Sequence, residues 1–144
     1  GGYANAKPLD PDLEAVLDNL KWSEHVVVLT PMWWGGLPAK LKGLIDRTFL
    51  PGATFDTRNT SRLGLPAPLL SGRTARVIMT SDTPNWFFRL VYKHAMVRQL
   101  RSQILGFVGL NPTRVTHFAG ASHPELATVE RWSKEVSELG MHER

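Results

Sequence analysis

The 144-residue chain contains no cysteine. That absence excludes disulfide scaffolds, thiol nucleophiles, iron–sulfur clusters and thiolate-type structural zinc together, and a reducing, cytoplasmic location is the expectation that fits it. Nowhere does the chain approach the ~18 consecutive apolar residues of a membrane-spanning helix, so no membrane span is expected. The first residues also lack the basic-then-apolar order of a secretory signal. No G-x-S-x-G, G-x-x-x-x-G-K-[ST] or G-x-G-x-x-G pattern occurs, which leaves the hydrolase elbow, the P-loop and the Rossmann fingerprint without support. His25, His94, His117, His123 and His142 show no H-E-x-x-H or other ligand spacing. They read as structural or solvent-facing, and no metal site is expected. Acids are scarce in the middle: Val26 to Gly120 carries twelve Lys/Arg against Asp46, Asp56 and Asp82, a balance of +9, while the flanks carry five against ten. A paired-carboxylate mechanism is therefore disfavoured. The basic centre suits anionic ligands such as nucleotide phosphates, or simply a solvated face; no nucleic-acid-binding motif accompanies it.

Apolar residues make up 42% of the chain and charged residues 21%, the balance of a folded domain, and the length suits one cooperative unit over residues 1–144. Asp10-Pro11 reads as a cap followed by proline in the first helical turn, with Leu13, Val16, Leu17 and Leu20 at helical spacing. His25 to Thr30 is a β-branched run that predicts a strand buried on both faces. Leu37-Pro38 opens a second helix with Leu41, Leu44, Ile45 and Phe49 on one stripe. Pro51 to Thr74 has no sustained period and reads as a long loop. Arg76 to Thr80 is a second strand, Arg89 to Phe107 a helix with a break, and Arg114 to Phe118 a third strand. Ser122 to Glu125 reads as a capping box heading a helix with Leu126, Val129, Trp132, Val136 and Leu139 inward and Gly140 as its stop. Strands alternating with helices predict an α/β fold, a parallel sheet with helices on both faces.

In such sheets ligands bind beyond the carboxyl ends of the strands. Two loops stand out there. Pro31 to Gly36 sets adjacent tryptophans on a strand-to-helix turn, with glycines that let backbone approach a ligand. The plainer alternative has both indoles sealing the end of the sheet as core. Thr80 to Trp86 is rich in hydroxyls and short polar groups, suited to hydrogen-bonding a ring carbonyl or a nucleotide's sugar or forming an ordinary Asx/Ser turn. A site of aromatics, amides and hydroxyls without catalytic acids or thiols suits chemistry carried by a cofactor.

Pro31 to Phe55, reading P-M-W-W-G-G-L-P-A-K-L-K-G-L-I-D-R-T-F-L-P-G-A-T-F, resembles throughout its length the motif of the NAD(P)H:quinone oxidoreductase family, whose relatives include modulator of drug activity B and the ancillary flavoproteins of potassium-efflux systems. Arg76 to Thr83 is similar to the family's next strand and flavin loop, and Arg98 to Val115 to its later helix and strand. The resemblance, running from Leu13 to Leu139, implies a flavodoxin-like three-layer α/β/α fold. It implies a flavin cofactor, FMN or FAD, and NAD(P)H as co-substrate, with hydride passed through the flavin to a quinone or similar flat acceptor. Pro31, Met32, Trp33, Trp34, Gly35 and Gly36 would line one side of the ring, and Thr80, Ser81, Asp82 and Thr83 would hold its polar edge. Trp34 would border the substrate pocket as the residue closest to catalysis. Many relatives carry a third aromatic where Gly35 stands, a glycine pair where Asp82 and Thr83 stand, and a tyrosine at Phe88. A homodimer is implied, as is a strand–helix–strand unit ahead of the first strand seen here, so the chain, which opens Gly1-Gly2, is expected to be a fragment. From another class, the alternative is a non-catalytic flavin-binding regulatory subunit docking through Trp86, Phe87 and Phe88.

Overall fold

A computed structural model of the chain describes residues 6–142. Helix α1 spans Pro11–Trp22, capped by Asp10 with proline at its start; the Asp10 carbonyl accepts the first two intrahelical hydrogen bonds, from Leu13 and Glu14. Strand β1 (His25–Pro31) leads through the first loop into α2 (Ala39–Thr48). Pro38 sits at the cap of α2, so the helix opens after the Leu37-Pro38 pair. The segment Pro51 to Thr74, expected as a loop, contains an antiparallel ribbon of β2 (Phe55–Thr60) and β3 (Pro66–Pro68). Its prolines and interrupted register hide the period of two on which strand recognition depends.

Strand β4 (Thr74–Ser81) lies between β1 and β5 (Thr113–Ala119), parallel to both. Between β4 and β5 come α3 (Asn85–Leu90), α4 (Ala95–Arg98) and a π-helical continuation, Gln99–Leu105. The expected break in the long helix falls at Val91 to His94, where Lys93 and His94 take positive φ. Helix α5 (Leu126–Met141) ends the described chain.

The core lies on one face of the sheet. Val77, Met79, Phe88, Met96, Leu100 and Leu110, each at most 1% exposed, pack with Val26 and Val28 of β1 and with Leu37 and Phe49 around α2. Removing that much apolar surface from water supplies the main driving force. The loop before β5 closes tightly on the chain before β4: the Leu70 N–H donates to the Val108 carbonyl at 2.9 Å. Gly109, at φ +105°, leaves only 2.7 Å between a would-be Cβ and the Ser71 nitrogen.

The opposite face is thinner. Val136 and Leu139 of α5 approach Val27, Arg76 and Ile78 across a cavity of about 210 Å³, and Trp132 stacks on Phe118 at 5.0 Å. The expectation that β1 is buried on both faces does not hold, since Val27 and Leu29 are 56% and 72% exposed. β1 is an edge strand, and α5, standing off across that cavity, leaves this part of its second face open. Three further expectations change in α5. Glu125, not Ser122, occupies the cap, and Ser122 bonds elsewhere; Leu126 and Val129 stay exposed while Trp132, Val136 and Leu139 face the sheet. Gly140 lies inside the helix rather than stopping it. Among the described residues no helix is long and apolar enough to cross a membrane.

Candidate active site

Because β1 and β4 are parallel and in register, Pro31 opposite Thr80, their carboxyl ends release two loops at the same level. The Met32 N–H donates to the Thr80 carbonyl at 2.8 Å, extending the pairing one residue beyond β1. The chain then turns back on itself. Trp33 and Gly36 exchange two backbone hydrogen bonds of 3.0 Å each, and Trp34 and Gly35 between them take φ of +51° and +75°, the signature of a type I′ turn. Glycine accepts that conformation without penalty. A bulky residue there carries strain of about 1–3 kcal/mol. The turn holds Trp34 wholly in solvent, at 106% relative exposure, and Trp33 at 61%. Neither indole seals the core.

The second loop leaves β4 at Ser81, which is 7% exposed. Asp82 directs its carboxylate away along the loop to Ser122, accepting the backbone N–H at 2.7 Å and the hydroxyl in a short bond. Those two hydrogen bonds, the hydroxyl's first, hold the Asp82 carboxyl below its ordinary pKa. They also tie the loop after β4 to the loop after β5, assisted by the Ala121 N–H donating to the Ser81 carbonyl at 3.2 Å.

Between the loops lies a cavity of about 520 Å³. Met32, Trp34 and Gly35 form one wall, and Ser81, Asp82 and Thr83 the other. Phe88, Tyr92, Ala95 and Met96 complete it. The volume is that of a site for a cofactor-sized ligand. Six of the ten residues singled out in the sequence thus meet around one space. The other four do not line it: Pro31 and Thr80 pair within the sheet, while Trp33 and Gly36 close the turn that presents Trp34.

Phe88, Tyr92, Ala95 and Met96 were not among the residues expected at the site. Phe88 and Met96, each 1% exposed, form a dry floor, and the aromatic cluster directly after the polar loop was the available signal. His117 does not line the cavity but touches two residues that do. Its Nε2 lies 2.8 Å from Ser81 Oγ, and its ring packs against Phe88 at 5.0 Å, with His94 on another side of Phe88 at 5.1 Å. Burial, and then the charge of His94, lower the His117 pKa.

A parallel α/β sheet with its cavity at the carboxyl ends of neighbouring strands defines a class, and sequence comparison agrees. Residues 2–139 match the family described as flavodoxin-like fold, and the chain belongs to it. The FMN-dependent NADH:quinone oxidoreductase of Beijerinckia indica is 30% identical over 131 residues, covering 88% of this chain and 61% of that protein. The chain therefore spans less than two thirds of that relative's length. Among solved structures, the NAD(P)H:quinone oxidoreductase from Methanothermobacter marburgensis aligns with a TM-score of 0.73 and 18% identity, over 93% of this chain and 66% of that one. The FMN-dependent NADH-azoreductase from Bacillus anthracis, solved in complex with FMN, aligns with a TM-score of 0.73 and 19% identity, over 96% of this chain and 68% of that one. Both share its fold.

Proposed function

We propose that the chain is the cofactor- and substrate-binding part of a flavin-dependent NAD(P)H oxidoreductase of the quinone reductase type. The observation that carries this reading is the open slot of about 520 Å³ with a strained, solvent-held indole at its rim. The residues fit a flat heteroaromatic group. Met32, Trp34 and Gly35 offer an apolar wall, and the Ser81 and Thr83 hydroxyls offer hydrogen bonds opposite. The curated relative's name specifies FMN and NADH, which supports FMN over FAD and NADH as the reductant here.

A bound flavin would supply two-electron hydride exchange, the chemistry that no side chain of this site can perform. The chain's part is positional. Phe88 and Met96 keep the floor dry and rigid, Trp34 limits entry to flat partners, and the basic excess of the central segment favours anionic ones. A quinone or similar planar acceptor fits these constraints.

Trp34, Trp86, Leu90 and Val91, all at least half exposed, leave an apolar surface around the mouth and along α3. This supports a homodimer with the pocket near its interface, in a cytoplasmic protein.

The test is addition of FMN and then NADH under anaerobic conditions. Quenching of flavin fluorescence on binding, bleaching by NADH and recovery on adding a benzoquinone are expected. Binding without bleaching would favour the regulatory-subunit alternative, and no binding would overturn the reading. Sedimentation equilibrium gives the mass of the assembly, and a monomer at all concentrations would contradict the dimer.

A further inference from the structure

Ser81 is the cavity-lining hydroxyl with the least freedom. At 7% exposure its recorded side-chain hydrogen bond goes to His117 Nε2, at 2.8 Å across the β4–β5 pair. A hydroxyl has one proton and two lone pairs, so the partner that takes the proton decides which face is shown to the cavity. If Nε2 accepts, only lone pairs are left over, and surplus lone pairs are cheaper to leave unpaired than a donor. If Nε2 donates, the serine proton must find another acceptor, and the free direction is the cavity.

We propose that His117 is a positioning residue for the site: neutral His117 accepts a hydrogen bond from the Ser81 hydroxyl at Nε2, so that Ser81 meets the ligand as an acceptor, and protonated His117 reverses the bond. The inference deepens the flavin reading and rests on it for the ligand's identity. The pair itself rests on geometry. The imidazole is fixed by Phe88 against one side and by Ser81 at its tip, and so has little freedom to turn away. Titratable and charged groups face it from each neighbouring element. His94 approaches from the α3–α4 connection, Asp82 lies next to Ser81 and is engaged by Ser122, and Arg131 and Glu135 of α5 line a cavity of about 480 Å³ that His117 also borders. Burial, and then His94, hold the His117 pKa below its ordinary value.

The consequence is a ligand affinity that falls on acidification through a residue at the back of the pocket. FMN should bind several-fold more weakly once His117 is protonated, a change on the scale of one reversed hydrogen bond. His117→Gln keeps a hydrogen-bonding group beside Ser81 without titrating, and should flatten the pH profile, as should Ser81→Ala.

The first measurement needs no ligand. Imidazole nitrogen chemical shifts of the wild-type chain above the His117 titration should show the proton on Nδ1, with Nε2 as acceptor, and Ser81→Ala should move the His117 titration midpoint. A proton on Nε2, or an unchanged midpoint, overturns the proposal. The second measurement is the FMN dissociation constant against pH. The same acid weakening in His117→Gln as in wild type also overturns it. Absence of FMN binding at every pH, with the Nδ1–H form and the shifted midpoint intact, overturns the flavin reading and leaves the Ser81–His117 device standing for another ligand.

Discussion

Trp34 combines two costs that folding alone gives no reason to keep: a left-handed backbone and a bare indole. Both vanish from consideration if the side chain's partner is a ligand rather than the protein. Trp34→Ala should therefore leave the melting temperature nearly unchanged, because a fully exposed side chain contributes within about ±0.5 kcal/mol. Turnover with a flat acceptor should fall by about tenfold, the scale of a lost stacking contact with the reacting partner. Equal losses in stability and turnover would contradict the role. The neighbouring Gly35 was legible in the sequence because a glycine pair after a strand marks a turn. The choice of Trp34 over Trp33 as the rim residue was not derivable from the residues alone, because it depends on which of them sits at the positive-φ corner.

At the level of elements, the site depends on loops clamped by long-range bonds. Ser122→Ala removes the hydroxyl's hydrogen bond to Asp82, the first of the two by which Asp82 joins the loop after β4 to the loop after β5, and keeps the backbone N–H bond. The Asp82 carboxyl should then titrate closer to its ordinary value, measurable from its carbon chemical shift, and FMN affinity should drop several-fold. An unmoved titration would mean that the Ser122 hydroxyl does not set it. Gly109→Ala attacks the core side instead. The added Cβ would crowd Ser71 in a backbone conformation that L side chains rarely adopt. A loss of about 1–3 kcal/mol is expected by urea denaturation, with FMN affinity of the remaining folded fraction unchanged. Four helical and three strand segments could be read from the sequence, as local alternation is set by which face meets the core. The β2–β3 ribbon could not, because prolines and an irregular register erase that alternation. Nor could the bare face of β1, since burial depends on what lies over a strand, which the strand's own residues do not encode.

For the whole molecule, stability should respond to pH in a direction that the perturbed groups determine. His117 binds its proton less tightly in the folded state than in the unfolded chain, through burial and then His94. Its contribution is therefore complete above the ordinary histidine pKa of about 6.5 and is lost as pH falls through the lowered folded value. Asp82 and Asp56 are held low by hydrogen bonds, from the Ser122 hydroxyl and the Arg58 backbone N–H respectively. Their contributions persist above the ordinary carboxylate value of about 4 and disappear below it. The urea midpoint should be level near neutrality, decline first below about pH 6.5 and decline again in the acid range. In His117→Gln the first decline should be missing. A midpoint that rises on acidification would refute the assignment.

The amino-acid order by itself settled the α/β class, the parallel strands and the two loops at their ends, because β-branched runs, helical stripes and glycine turns act over a few residues at a time. It also carried the family likeness through the Pro31 to Phe55 segment. What only the tertiary structure decided is which groups share a space. Ser81 meets His117 across 36 positions, and Asp82 meets Ser122 across 40. Those contacts arise because parallel pairing of β4 with β5 sets their carboxyl ends side by side, a register determined by core packing rather than by any pattern within either strand.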